Sequence, residues 1–224
     1  MSVDVAQDDH DHGMKAHQFE DLEQQNDTYT VGMWTFLVTE IMFFGALFLA
    51  YTIYRSKNPG VFHEISKEHL DVLKGGANTV VLLTSSLTMA LCVYNAQKAH
   101  REKQLVFLAL TTLLSFTFLV IKAFEWQQKF AEHHVPGPSF HYGDANFPDY
   151  KAQMFFSLYF AMTGLHAVHV IIGILVMGVL FAMIYKRHPS VQYYMPVEMA
   201  GLYWHFVDIV WIFLFPLFYL IPHS

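Results

Sequence analysis

The run Gly32-Met-Trp-Thr-Phe-Leu-Val-Thr-Glu40-Ile-Met-Phe-Phe-Gly-Ala-Leu-Phe-Leu-Ala-Tyr51 is apolar, long enough to cross a membrane, and carries one glutamate near its middle. An ionised carboxylate in hydrocarbon costs about 2.5–3.5 kcal/mol on insertion scales. Glu40 is therefore expected to face protein, water or a bound polar group. Two interpretations stay open: a proton-handling or gating acid, and a buried carboxyl group hydrogen-bonded to a neighbouring helix.

The composition of the chain is that of a membrane protein. Of its 224 residues, 54% are hydrophobic, 17% are aromatic and only 14% are charged. About 25% of the residues in a soluble domain are charged. Here the charges are missing from long runs, which indicates several membrane spans. The single cysteine, Cys92, excludes an intrachain disulfide and any cluster of several thiolates.

Five apolar runs reach the roughly 20 residues that a helix needs to cross a bilayer. They predict an all-α fold, an integral membrane bundle of five transmembrane helices within residues 30–224, with spans at about 31–54, 77–97, 105–124, 152–185 and 199–221. Residues 1–29 are acidic, contain His10, His12 and His17, and are predicted to be a flexible tail. Residues 55–74 are predicted to be a surface connection.

An odd number of spans places the two ends of the chain on opposite sides of the membrane. Basic residues are densest in the two short loops, at Lys98, Arg101 and Lys103 and again at Lys186 and Arg187. Cytoplasmic loops carry the excess of Lys and Arg. The N-terminus is therefore predicted to be cytoplasmic and the C-terminus to lie on the opposite side.

The second run contains Asn78, Ser85 and Ser86 among several threonines. Small hydroxyl residues allow helices to approach closely and to form hydrogen bonds across their interface. This helix is therefore predicted to be central in the packing of the bundle.

The fourth run places His166, His169 and Gly173 on one helical face. Two histidines on one face can ligate haem or copper, but such a site needs further ligands, and the other obvious membrane histidine is His205 alone. Hydrogen bonding between helices is the preferred interpretation.

The fifth run places His205 and Asp208 one helical turn apart. Asp208 and Glu40 are expected at similar depth, because their helices start from the same side. We therefore hypothesise a buried polar cluster in which Glu40 contacts His205, Asp208 or both.

Taken together, five motifs resemble subunit III of the haem–copper respiratory oxidases over about residues 29–221. They are Phe36-Leu-Val-Thr-Glu-Ile-Met-Phe-Phe44, Asn78-Thr79 with Thr84-Ser-Ser-Leu-Thr88, Lys122-Ala-Phe-Glu-Trp126, Thr163-Gly-Leu-His-Ala-Val-His-Val-Ile-Ile-Gly173 and Glu198-Met-Ala-Gly-Leu-Tyr-Trp-His-Phe-Val-Asp-Ile-Val-Trp211. The chain is similar to the short five-helix bacterial form. The long form has two further helices ahead of the glutamate helix, and these help to enclose a phospholipid cleft.

The resemblance implies a non-catalytic subunit III of a proton-pumping cytochrome c oxidase in the bacterial inner membrane, supporting assembly, stability and proton uptake of subunit I during aerobic electron transport. It implies haem and copper in partner subunits and none in this chain. The implied partners are subunits I and II and membrane lipids, including a bound phospholipid, with no nucleic acid or soluble substrate. Glu125 and Glu198 join Glu40, His205 and Asp208 as proton-related or buried polar candidates, and no residue is expected to be catalytic.

Three alternatives stay open at this point. The first is subunit III of a quinol oxidase, since cytochrome c and quinol oxidases differ in subunit II and not in this chain. The second is an independent transporter, although many transporters consist of paired repeats and no repeat is found here. The third is a membrane haem protein that uses His166 or His169.

Overall fold

The computed structural model describes residues 21–132, 134–137, 140, 142, 148–188, 191 and 193–220. Residues 1–20, with most of the predicted acidic tail, lie outside this range. The described residues form six helices and no strand: α1 (Leu22–Lys57), α2 (Pro59–His69), α3 (Val72–Gln97), α4 (Arg101–Ala131), α5 (Asp149–Tyr185) and α6 (Met195–Tyr219). All except α2 are long and apolar enough to cross a membrane. The predicted all-α bundle with five spans is confirmed.

The first helix begins earlier than the sequence suggests. Asp21 caps α1, and its carboxylate accepts a hydrogen bond from the backbone N–H of Gln24 at 2.6 Å. An N-cap of this kind satisfies a backbone donor that the helix itself leaves free. Residues 22–29, which the sequence assigns to the tail, are therefore helical, and that boundary is wrong.

The predicted surface connection between the first two spans contains the helix α2. Pro59 occupies its first turn, a position where the missing N–H costs nothing. Val61, Phe62 and Ile65 are buried against the bundle. Ser66 donates its hydroxyl to the backbone carbonyl of Phe218 at 2.5 Å. The segment thus covers the end of α6, so the description as a plain surface connection is wrong.

Helix α6 is the most buried span and α1 the least. Trp204, Trp211 and Phe218 of α6 are almost completely buried. Large apolar side chains of α1 such as Met42 and Leu49 are exposed. This arrangement places α6 in the middle of the bundle and leaves most of α1 for lipid or a partner protein.

Helix α3 packs against α4 and α6 through hydroxyl groups. The indole N–H of Trp204 donates to Oγ of Ser85 at 3.1 Å, and that of Trp211 donates to Oγ1 of Thr79 at the same distance. The hydroxyl groups of Thr88 and Thr111 lie 2.8 Å apart. The predicted hydrogen bonding of hydroxyl groups across the interfaces of this helix is confirmed, while the most buried span is α6.

Candidate functional site

The first buried polar group joins α1 to α5. Oε2 of Glu40 lies 3.1 Å from Nε2 of His169, and the two side chains are 20% and 13% exposed. Phe44 meets the His169 ring edge-on, with ring centroids 5.2 Å apart. Tyr203 of α6 donates its hydroxyl to the backbone carbonyl of His169 at 3.0 Å. The pair therefore lies near the middle of two spans, where three helices meet.

The hydrogen bonds of His169 show that its Nδ1 atom is a donor. Nδ1 lies 2.8 Å from the carbonyl oxygen of Leu165, which can only accept, so Nδ1 carries a proton. A hydrogen bond between Nε2 and the Glu40 carboxyl group needs one proton, which either the imidazole or the carboxyl group can carry. Both arrangements have a net charge of zero, which suits a low-dielectric environment. A proton that moves between the two atoms converts a neutral pair into an ion pair, and the net charge of the pair stays zero.

The second buried polar group lies near the C-terminal end of α4. Nζ of Lys122 is 3.1 Å from Oε2 of Glu125, 2.8 Å from the hydroxyl of Tyr219 and 3.3 Å from that of Tyr159. Both tyrosines donate to Oε1 of Glu125, Tyr159 at 2.5 Å and Tyr219 through another short contact. We call these four residues the Lys122–Glu125 cluster.

The Lys122–Glu125 cluster satisfies both of its charges internally. Lys122 is 4% exposed and Glu125 3% exposed, so neither relies on solvent. The ammonium group also lies 4.8 Å from the ring centroid of Trp211, a cation–π distance. A buried ion pair is tolerated when its geometry is good and further hydrogen bonds satisfy the remaining atoms. The cluster therefore ties α4, α5 and α6 together.

His205 and Asp208 do not join Glu40, so the hypothesised cluster is wrong in its pairing. Nδ1 of His205 bonds Oγ of Ser86 at 2.8 Å, which links α6 to α3. Asp208 is 3% exposed, and neither carboxyl oxygen meets hydrogen-bond geometry with a described residue, although Ser86 lies beside it. The sequence places these residues at similar depth, but the rotation of each helix about its axis decides which groups meet.

Two other predicted interhelical residues are buried without a hydrogen-bond partner among the described residues. Neither ring nitrogen of His166 has a hydrogen-bond partner among the described residues. The His166 ring packs between Phe118 and Trp211, at centroid distances of 5.6 and 5.3 Å. The side-chain nitrogen and oxygen of Asn78 likewise have no hydrogen-bond partner among the described residues. The prediction of interhelical hydrogen bonding therefore holds for His169, Ser85 and Ser86, and is wrong for His166 and Asn78.

His166 and His169 share one helical face, but their surroundings differ from those of metal ligands. His169 uses both nitrogens for hydrogen bonds, and His166 is enclosed by aromatic rings. In the part of the chain that the structure describes, no three His, Cys, Asp or Glu side chains converge as metal ligands would. Glu198, another predicted buried polar residue, lies in the first turn of α6 and is only partly buried. The helix dipole stabilises a carboxylate at this position.

Sequence reasoning missed Lys122, Tyr159 and Tyr219 as members of a site. One signal was available: Lys122 and Glu125 are three residues apart, the spacing of an ion pair on one helical face. The tyrosines gave no such signal, because they come from α5 and α6, and only the packing brings them to α4.

Comparison with known proteins decides the family. A family model described as cytochrome c oxidase subunit III matches residues 15–222. The chain belongs to this family.

Two relatives of this subunit III chain represent two kinds of oxidase. Cytochrome c oxidase subunit 3 of Synechocystis is 33% identical over 87% of this chain and 76% of that protein. Cytochrome bo(3) ubiquinol oxidase subunit 3 of Pseudomonas aeruginosa is 29% identical over 95% of this chain and 90% of that protein.

A third relative bears on the partner. The heme-copper oxidase subunit I+III of Aeropyrum pernix is 30% identical over 87% of this chain, which spans 23% of that longer protein. In that protein a subunit III is joined covalently to subunit I. Two chains that are fused in a relative are expected to be neighbours when they are separate.

The pairing in this subunit III chain predicts which double-mutant cycle shows coupling. We expect Glu40→Leu and His169→Phe to couple by about 0.5–3 kcal/mol, because each single change leaves the other partner unpaired in the bundle. Glu40→Leu with Asp208→Asn should be additive within about 0.3–0.5 kcal/mol, because these residues share no partner. Unfolding of the purified chain in mixed micelles, followed by circular dichroism, measures both. Equal coupling in the two cycles would contradict the pairing.

Proposed function

We propose that this chain is the non-catalytic subunit III of a proton-pumping terminal oxidase of aerobic respiration. Its role there is to support the assembly, stability and proton uptake of subunit I. The family membership and the fused relative from Aeropyrum pernix support this assignment. The reaction belongs to the complex, with haem and copper held by partner subunits.

The observation that carries the proposal is the partial exposure of the Glu40–His169 pair. The carboxyl side chain is 20% exposed, and neighbouring exposed side chains of the same helix, such as Ile41 and Met42, are apolar. Ionisable groups in membrane spans almost always face protein or a water-filled cavity, because contact with hydrocarbon is costly. A partner subunit that covers α1 at this level removes that cost. We assign this role to subunit I, with the pair lying at its interface.

The electron donor we propose is cytochrome c, as in the family description and the Synechocystis relative. The Pseudomonas aeruginosa relative is a ubiquinol oxidase subunit, which supports quinol as the second candidate. Subunit II, membrane lipids and a bound phospholipid complete the proposed partners. We place the protein in the bacterial inner membrane with a cytoplasmic N-terminus and the C-terminus on the opposite side, on the basis of the basic loops at Arg101 and Arg187.

If the pair handles a proton for subunit I, Glu40→Gln should leave assembly intact and accelerate the loss of oxidase activity during turnover. The amide can still donate a hydrogen bond to Nε2 of His169, so the helix contact survives, but it cannot take up a proton. The measurement is oxygen consumption over many turnovers, with subunit content determined from the same sample. Glu23→Gln, in the first turn of the same helix, is the control and should behave as wild type. Unchanged inactivation in Glu40→Gln would reduce the pair to a packing contact.

A further inference from the structure

A cavity of about 260 Å³ lies at the end of the bundle where α3 turns into α4 and α5 ends. Its walls include Arg101, Arg187, His188 and Tyr194, and no carboxylate of a described residue lines it. None of the buried polar groups described above reaches it. We call this site the basic cavity.

The charges of two arginines in the basic cavity are not balanced by the part of the chain that the structure describes. Arg101 donates from Nε to the carbonyl of Ile184 at 3.0 Å and from Nη2 to that of Tyr185 at 2.6 Å. These backbone acceptors hold the guanidinium in place but carry no net charge. The side chain of Arg187 makes no hydrogen bond or ion pair with a described residue.

The turn after α5 holds Arg187 at the edge of the basic cavity. Its backbone N–H donates to the carbonyl of Ile184 at 3.2 Å, and that of His188 donates to the carbonyl of Met183 at 2.9 Å. The φ angle of Arg187 is 55°, a left-handed conformation that glycine usually adopts at such a turn. Glycine would fit this backbone without strain but would remove the guanidinium. The backbone therefore sets the position of this cation, and its side chain is left available for a ligand.

The N-terminal segment enters the bundle beside the basic cavity. The side-chain amide of Asn26, near the start of α1, donates to the hydroxyl of Tyr193 at 2.7 Å. The next residue, Tyr194, lines the basic cavity. Residues 1–20 are joined to α1 at Asp21, so they enter at the same end of the bundle as the two arginines.

Residues 1–20 carry the charge that complements the basic cavity. Lys15 is their single basic side chain, and their acidic residues are Asp4, Asp8, Asp9, Asp11 and Glu20. Three of these carboxylates fall within residues 8–11. An extended chain spans about 3.3–3.6 Å per residue, so the stretch from Asp11 to Asp21 can reach about 33 Å. That reach is roughly three helix diameters, which is enough to cross from α1 to the ends of the neighbouring helices.

We propose that the acidic segment at residues 8–11 of this chain docks in the basic cavity, with its carboxylates paired to Arg101 and Arg187. A guanidinium group can bind a carboxylate through two parallel N–H···O bonds. The cavity is smaller than the roughly 300–1,000 Å³ of pockets that enclose a drug-sized ligand, so it admits individual side chains rather than a folded element. Docking fastens the N-terminal segment across the ends of α3, α4 and α5. The contact lies within this chain and does not depend on which oxidase the chain serves.

The test is the rate of trypsin cleavage after Lys15, the single Lys or Arg among residues 1–20. The full-length chain is purified in a neutral detergent with whatever partners it retains, and mass spectrometry follows the release of residues 1–15. A synthetic peptide of residues 1–30 gives the rate for the undocked segment in each buffer. We expect the chain to be cut about tenfold more slowly than the peptide at low salt. At about 0.5 M NaCl the two rates should converge, because salt screens exposed charges.

Arg187→Gln and Lys103→Gln are compared in the same assay. Lys103 is an exposed cation near the start of α4 and does not line the basic cavity, so the control removes the same charge. We expect Arg187→Gln to accelerate cleavage about twofold to fivefold, the range expected for an exposed ion pair. Lys103→Gln should leave the rate unchanged.

A triple variant tests the acidic side of the contact. Asp8→Asn with Asp9→Asn and Asp11→Asn should accelerate cleavage of the chain relative to a peptide with the same changes. Adding Arg187→Gln to this variant should have no further effect, because both sets of changes remove the same interaction.

Four results would overturn the proposal. Cleavage of the chain at the rate of the peptide in low salt would show that the segment is not docked. Equal effects of Arg187→Gln and Lys103→Gln would show nonspecific attraction between charges. Additive effects of the triple variant and Arg187→Gln would mean that they act on separate contacts. Protection that survives both high salt and Arg187→Gln would mean that a co-purified partner covers the segment.

Discussion

Lys122→Met is expected to destabilise the chain by about 3–5 kcal/mol, because removing one partner of a buried ion pair leaves the other charge uncompensated. Glu125, which is 3% exposed, would keep two phenol donors and lose the ammonium group. Methionine preserves most of the volume of the side chain, so the effect reports on the charge. Unfolding in mixed micelles, followed by circular dichroism, measures the loss.

Lys129→Met on the same helix is the matched control. Lys129 also pairs with a carboxylate three residues on, at 3.0 Å, but Glu132 is 45% exposed and can be solvated after the change. The expected cost is about 0–1 kcal/mol, as for exposed ion pairs. The double variant Lys122→Met with Glu125→Gln should be more stable than the sum of the two single effects, because it removes both charges. Strict additivity would show that the two residues do not act as a pair.

Gly173→Ala is expected to cost about 1–3 kcal/mol through overpacking of the interface between α5 and α6. A Cβ atom at this position would lie 2.6 and 2.7 Å from two ring atoms of Trp204. That ring is 1% exposed, and its indole N–H is bonded to Ser85, so it cannot move aside without breaking the bond. The same unfolding measurement applies, with near-ultraviolet circular dichroism as a report on the tryptophan environment.

Gly178→Ala, little more than one turn further along the same helix, should be neutral or stabilising by up to about 1 kcal/mol. A Cβ atom there meets nothing within 4 Å, and alanine is the better helix former. Equal destabilisation by the two substitutions would contradict the close contact assigned to Gly173.

The sequence was sufficient for the spans because membrane length and apolar composition determine them. The sequence was not sufficient to predict where α1 begins or that the first connection contains a helix. Asp21 caps α1 within a polar segment, and α2 is an amphipathic helix too short to stand out from a connection. In both cases a local interaction or a contact with another helix, rather than average composition, sets the structure.

The candidate site was also only partly predictable from the sequence. Glu40 and His169 could be singled out because ionisable residues are rare in spans. Glu125 entered through the resemblance carried by the motif Lys122-Ala-Phe-Glu-Trp126. Which groups pair could not be predicted, since a helix turns 100° per residue and a small rotation exchanges neighbours. Glu40 therefore meets His169 rather than His205 or Asp208.

The most direct test of the central claim is to tag this chain, purify it gently from native membranes, and record a reduced-minus-oxidised spectrum with metal analysis. We expect haem and copper to be recovered together with a larger subunit I. Copper beyond the oxygen-reducing centre would identify cytochrome c as the donor, and its absence would favour quinol. A chain that is recovered alone and colourless in mild detergent would contradict the assignment as a subunit of a terminal oxidase.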